Sequence, residues 1–460
     1  METKVDTANG ATHTAPVVDS NPRESKRPRT SCDVDGSSKS VAVPAGGRSP
    51  DPATDDAGSA PQSAGAKQAE AAKMKAKLKT LMGRFPLPAC TTSANHMMCS
   101  VHAEGGKPKP METILKGVNP LVVYGVQRTT LPPLLAELKT EYHKFGHRNP
   151  FLWQWLYYST QLVRASALVR GCGGCLTCVV PFVLQMAGPS IAPEHADTVT
   201  LVKSIINIFN VVTDDIGDED NDIRLLHRIE ADLFRGVFSS DDADESKQAC
   251  ADRAADPKAA YCHTLKTHLW SLARKLPRFE ELKEVLEYDI RQMLNEKRYS
   301  ALTNKNPHMI NRTEHSLVAP HTMHAMIFLT CDLMASPSVP STEFGMLRSI
   351  YWDANVMANI ANCLGTWARE IPKRDWSSPL FPQAIEDGVF TIQQLNSMDV
   401  DAIKARVEES GVEGKLLARW FSHRDHIMSL NDKITCASAA DFAAQNDAFL
   451  AMHLACRGFI

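Results

Sequence analysis

From about residue 110 onward the chain repeats apolar residues at helical spacing and offers almost no other pattern. "ADTVTLVKSIINIFNVVTDD", "ELKEVLEYDIRQML", "TMHAMIFLTCDLM" and "STEFGMLRSIYWDANVMANIANCLGTWARE" all read this way, as does "AAQNDAFLAMHLACRGF" near the end. "LPPLLAELKTEYHKFG" opens with prolines suited to a first helical turn. "NPFLWQWLYYSTQLVRASALVRG" packs Phe151, Trp153, Trp155, Tyr157 and Tyr158 close together. No β-branched run alternates at period two, and no Asn-Gly pair joins two strand-like runs. A chain patterned in this way buries helix against helix, so the expected fold is all-α: a single large bundle of roughly ten helices.

The N-terminal segment follows different rules. Residues 1–75 are rich in Ala, Ser, Pro, Gly, Asp and Lys without apolar periodicity, and cannot bury enough surface to offset chain entropy. They read as a disordered tail ahead of a helical domain at 76–460. "KRPR", Lys26–Arg29, fits either a nuclear signal or plain solvated charge. Residues 239–258, polar and acidic, read as an exposed loop.

Charge and cysteine usage narrow the function classes. A formal net charge of -3 gives no whole-chain argument for binding nucleic acid or an anionic membrane. The first residues show no basic stretch leading into an apolar one, so no secretory signal is expected. The most apolar stretch, 162–187, is interrupted by Arg164, Arg170 and glycines, which argues against a membrane span. Twelve cysteines without a secretory signal favour reduced thiols and a cytoplasmic location. Cys172, Cys175 and Cys178 lack a nearby fourth ligand for a tetrahedral metal and read more simply as one packed helix face.

The feature that asks for chemistry is "VVTDDIGDEDND", residues 211–222, directly behind the apolar run "IINIFNVV". On a helix, Asp214, Asp215 and Asp218 share one face, with Glu219 at its edge. Like charges on a half-buried helix call for a neutralising cation; taken alone, the run equally fits a solvated helix end. A calcium-binding loop starting at Asp218 fails, because Ile223 stands where that loop needs glycine. Asp220 and Asp222 read as solvated charge. Later in the chain, Asn362, Thr366 and Glu370 stand at i, i+4 and i+8 and line one helical face with an amide oxygen, a hydroxyl and a carboxylate. These are hard ligands of the kind Mg²⁺ takes beside substrate phosphates. Arg369, Lys373 and Arg374 adjoin them, which suits a polyphosphate as third party.

"DDIGD" followed by "NCLGTWARE" resembles the paired metal motifs of class I terpene synthases, DDxxD/E and NxxxS/TxxR/KE. The resemblance covers roughly residues 110–460. It implies a bundle of the class I terpene synthase type, three Mg²⁺ and a prenyl diphosphate substrate, dimethylallyl or geranyl. By that resemblance Asp214, Asp215 and Asp218 hold metal on one wall, and Asn362, Thr366 and Glu370 hold it on the other. Asp214, Asn362 and Glu370 are then essential to catalysis. Arg312 stands where the family keeps a diphosphate-sensing arginine, and Arg369, Lys373 and Arg457 are expected to bind the diphosphate. Lids are expected in loops near 300–315 and 373–378.

Two departures bear on the cation's acceptor. Arg457 in "CRGFI" lacks the tyrosine that usually follows it in cyclases, and "TNKNPHMINRTEHS" around Arg312 is polar for a wall that guides a hydrocarbon cation. Lys305, Asn311 and His315 suit a polar co-substrate. The chain in this respect resembles the algal kainoid-pathway enzymes that join a prenyl group to the amine of L-glutamate. An aromatic content of 7% agrees, since cyclases use aromatic faces to stabilise migrating cations. The Trp153–Tyr158 cluster points the other way, toward a terpene cyclase working on geranyl or farnesyl diphosphate.

Overall fold

A computed structural model of the chain describes residues 132–145, 191–237 and 255–455, together with Lys73, Ala76, Lys77, Lys79 and Thr80. All of these lie in one unit, Gln62–Ile460. Pro133 occupies the first turn of α1 (Pro133–Tyr142), where its missing N–H costs nothing. There follow α2 (Ala196–Asp215), α3 (Ile223–Phe234), α4 (Pro257–Ala273) and α5 (Phe279–Lys305). Next come α6 (Arg312–Val318), α7 (Ala325–Met334) and α8 (Phe344–Glu370). The chain closes with α9 (Leu380–Glu386), α10 (Ile392–Ser397), α11 (Val400–Ser410), α12 (Val412–Ser429) and α13 (Ala439–Ala455). No strand occurs among the described residues, and the fold is all-α.

Helices that are apolar all round belong inside. Every residue of α7 is buried, as is the whole stretch Ile205–Asn210 of α2. Helix α8 is buried along most of the stretch from Leu347 to Trp367, and packs on α7, α12 and α13. Helix α5 packs on α3 and α7, and α4 covers α2. Charged pairs cross this interior. Lys203 of α2 pairs with Asp332 of α7 with both side chains essentially out of solvent. Arg348 of α8 grips Asp289 of α5 at 2.7 and 3.0 Å, and Thr330 donates to the same carboxylate at 2.7 Å. Such pairs add little net stability, because desolvation offsets their attraction, but they favour one helix register over another.

One expected loop, 300–315, is largely helical, whereas residues 374–379 form an irregular connection as expected. The amphipathic pattern of α5 continues through "EKRYSALTNK" to Lys305, and the polarity of 300–315 belongs largely to helix surface rather than to an open lid. Asn306 and Pro307 end that helix in a tight turn, Pro307–Met309. Asn311 then caps α6 by accepting from Glu314 N at 2.8 Å. Residues 371–373 form one tight turn closed by Arg374 in the left-handed region, φ 58°. The acidic segment expected as a loop to 258 also ends earlier. Asp256 caps α4 through Lys258 N and Ala259 N.

Residues 151–158, the thiols Cys172, Cys175 and Cys178, Arg457 and residues 1–72 with the Lys26–Arg29 run lie outside the described residues, while Lys73, within the expected tail, is helical. No single described helix is long and apolar enough to cross a membrane. The bent pair Arg312–Met323 and Ala325–Met334 passes by length and composition only, and α7 is buried inside the bundle.

Candidate functional site

The acidic motif sits where α2 changes its winding. After Asp215 the chain widens into a single π turn, Ile216–Asp220, then reverses at Asn221 in the left-handed region, φ 54°. Turns of this kind inside α-helices are common at functional sites. Gly217 permits the approach that follows. A Cβ built there would stand 2.8 Å from the carbonyl oxygen of Lys297, so only glycine lets this turn lie against α5.

On α5 the residues facing the turn are Lys297, Ser300 and Asn304, at i, i+3 and i+7. Lys297 is fully buried, and its ammonium lies 2.5 Å from Asp214 Oδ1 and 2.9 Å from Glu296 Oε2. It also donates to Thr322 Oγ1. Ser300 Oγ donates to Asp218 Oδ1, and Asn304 Nδ2 reaches the Asp218 carbonyl at 3.5 Å. This cation beneath the acid motif went unnoticed in the sequence. The available signal was a Lys, a Ser and an Asn on one face of a helix whose same face is otherwise apolar.

The acids divide the work. Burial, then the like charges of Asp214, Asp375 and Glu296, raise the Asp218 pKa well above the carboxylate range. Burial, then Asp214 and Glu219, push Asp215 up to about 7. The charge of Asp215 acts on Tyr142 of α1 and that of Lys258 of α4 on Asp215, whereas Asp218 is held by Ser300 of α5. Asp220 and Asp222 do more than carry solvated charge. Asp222 caps α3 by accepting from Leu225 N at 2.9 Å, and Asp220 pairs with Lys258.

The second motif ends α8. Thr366 Oγ1 donates to Glu370 Oε1 at 2.6 Å and lies 3.0 Å from the Asn362 carbonyl. Glu370 Oε2 is buried, and the Ser378 hydroxyl acts on the same carboxylate. Burial, then the Asp375 charge, push Glu370 up to about 7. Asn362 is half-buried and Arg369 exposed. Arg374 is structural: its guanidinium donates to the carbonyls of Leu395 and Met398.

The two motifs meet at one end of the bundle. Lys373, just past α8, pairs with Glu219 of the π turn at 2.8 Å across 154 positions of sequence. Asp375, which accepts from Ser377 N at 2.9 Å and Ser377 Oγ at 2.6 Å, lies between the walls. Its charge acts on Asp218, Glu296 and Glu370, and that of Asp214 acts on it. Nothing in the spacing of the motifs pointed to Asp375. Arg312 Nε donates to Glu386 Oε2 of α9 at 2.8 Å.

Asp214, Asp218 and Glu296 surround the buried Lys297, and the charge of Asp375 acts on both this group and Glu370, so this end is rich in carboxylates. Hard oxygen donors of this kind suit Mg²⁺. Among the described residues no three His, Cys, Asp or Glu side chains converge on a common metal position. Binding an ion there therefore requires the carboxylates to turn away from Lys297, Ser300 and Thr366. No protein-family model matches this sequence, and no curated protein matches it.

Proposed function

We propose that the protein is a Mg²⁺-dependent prenyltransferase of the class I terpene synthase type. It ionises dimethylallyl or geranyl diphosphate and passes the prenyl group to the amine of an amino acid, L-glutamate, releasing diphosphate. The observation that carries this reading is the meeting of the two acid-bearing helix ends, joined by Glu219 and Lys373 and sharing the charge of Asp375. Asp214, Asp218, Asn362, Thr366 and Glu370 would hold the metal, with Asp215 at the rim. Bound Mg²⁺ supplies positive charge that stabilises the diphosphate as it leaves.

The chain's own residues supply the rest. Arg369 and Lys373 stand at the rim, where their cations can take diphosphate oxygens once Lys373 leaves Glu219. Lys297 keeps the acid end neutral enough to fold. In the transfer the allylic C–O bond breaks, a C–N bond forms and the amine gives up one proton. Glu296, which burial pushes up to about 7 against the opposing pull of Lys297, is suited to take that proton at neutral pH.

The test is incubation of the full chain with Mg²⁺ and dimethylallyl or geranyl diphosphate, with and without L-glutamate, followed by mass spectrometry. The expected product is N-prenyl glutamate, formed only with the amino acid. Hydrocarbon released without it would replace this reading with a terpene cyclase, and an unconsumed diphosphate would overturn both. Asp214→Ala and Glu370→Ala are each expected to lower kcat about a thousandfold, the scale of a lost transition-state contact.

A further inference from the structure

The two motif helices carry the same polar spacing inward from the acid end. On α2, Lys203, Asn207, Asn210 and Asp214 stand at i, i+4, i+7 and i+11, and so share one face. On α8, Asn355, Asn359, Asn362 and Thr366 repeat that spacing. Both faces border α7. Lys203 pairs with Asp332 there, and Asn355 Oδ1 accepts from Ala325 N at 2.8 Å. Residues 202–210 of α2 and 353–361 of α8 are buried without exception. Asn207, Asn210 and Asn359 are each at most 9% exposed, yet their side-chain amides bond to no described residue. Apart from Asn210 Oδ1, the amide atoms of these three are not sealed off. With no outer surface on either stretch, those atoms open onto internal space.

Water completes such amides, whereas a hydrocarbon chain that displaces the water leaves them unpaired. We propose that Asn207, Asn210 and Asn359 line one compartment that seats the amine acceptor and binds it through its amino and carboxylate groups. This rests on the proposed function, for which it names the acceptor's contacts. The open amide oxygens of Asn207 and Asn359 accept from an amine N–H without adding negative charge. They therefore orient the amine while doing less than a carboxylate would to hold it protonated and without its lone pair. The amide N–H groups of all three donate to a carboxylate oxygen. Asn210 lies about 6 Å along α2 from Asp214, and Asn359 about 4.5 Å along α8 from Asn362, so the compartment begins within about one turn of the proposed metal residues. The transfer is unchanged: the amine lone pair forms the C–N bond as the C–O bond breaks, and the amine proton goes to Glu296. The side chains that suit a polar co-substrate in the sequence have other partners here. Asn311 caps α6, and His315 Nε2 donates to the Ser377 carbonyl.

Isothermal titration of the full chain with L-glutamate, in Mg²⁺ and inorganic diphosphate and again without them, tests the proposal. Asn207→Leu and Asn359→Leu keep the side-chain shape and remove its hydrogen bonds. Each is expected to weaken L-glutamate by about tenfold or more, the scale of a lost hydrogen bond to a charged group. Each is also expected to leave Tm unchanged or raised, because no protein partner loses a bond. In turnover the KM for L-glutamate is expected to rise and that for the prenyl diphosphate to stay. Glutarate, which lacks the amine, is expected to bind the wild type at least about tenfold more weakly than L-glutamate, a comparison that needs no variant. No binding of L-glutamate under either condition, equal binding by wild type and both variants, or equal binding of glutarate overturns the compartment. A lower Tm in both variants marks the amides as structural and overturns it too. Amide-dependent binding of L-glutamate without consumption of a prenyl diphosphate keeps the compartment and loses the function. N-prenyl glutamate made by both variants at the wild-type KM for glutamate does the reverse.

Discussion

Lys297 is the residue on which the acid end depends. Its ammonium is wholly buried against Asp214, Glu296 and Thr322, and the attraction of those acids raises its pKa despite burial. Lys297→Met leaves Asp214 and Glu296 without their cation. Breaking a buried pair from one side costs about 3–5 kcal/mol, so a loss of that size is expected in urea denaturation of the metal-free protein. Mg²⁺ is expected to restore more stability to the variant than to wild type, because the freed carboxylates no longer have a competing cation. Equal Mg²⁺ effects on the two proteins would show that Lys297 and metal do not share Asp214. Arg312 teaches a second lesson at this scale. Its place in the sequence suggests a diphosphate contact, and in the fold it pairs with Glu386 while its charge acts on Arg419.

At the scale of elements, the π turn Ile216–Asp220 decides where the acids point. It lies against α5 only because position 217 has no side chain. Gly217→Ala puts a methyl group on the Lys297 carbonyl and must push the turn outward. The expected cost is about 1–3 kcal/mol, the range for overpacking, read as a lower denaturation midpoint. Lys373 makes the opposite case. Its pair with Glu219 is exposed on both sides, so Lys373→Ala is expected to change stability by less than about 1 kcal/mol. The same substitution is expected to raise KM for the prenyl diphosphate; an unchanged KM would remove Lys373 from the substrate contacts. Helices α2 and α8 were legible because long apolar runs repeat at the helical period, and α2 matches its expected bounds, Ala196–Asp215. The short helices α9, α10 and α11 were not, because six to eleven residues hold too few turns for periodicity to register.

Over the whole molecule, buried acids and buried histidines push the pH dependence in opposite directions. Asp215, Glu296 and Glu370 sit near 7 and Asp332 near 6, above their unfolded values. Their contribution is fully present below the unfolded pKa and is lost as pH rises from about 4 through 7. His315, His324 and His453 sit near 4, below their unfolded value. Theirs is present above about 6.5 and is lost as pH falls toward 4. The metal-free protein is therefore expected to show a shallow stability profile between about pH 4.5 and 6.5, where the two sets offset. Because Mg²⁺ takes ionised carboxylates, its effect on Tm is expected to be larger at pH 8 than at pH 5.5. Thermal melts at both values, with and without Mg²⁺, check this, and an equal effect at both would remove the shifted acids from the metal set.

The all-helical class and the two polar stripes, on α2 and α8, can be read from the residues alone. Both follow from the period of 3.6, which is local and survives without knowledge of neighbours. The partners of those stripes come from packing between distant helices. That packing sets Lys297 against Asp214, brings the charge of Asp375 onto Asp218 and Glu370, and pairs Arg312 with Glu386. The reason is physical: the partners of a buried charge come from whichever helices pack against it, and 83 positions separate Lys297 from Asp214. No local pattern encodes a contact at that range.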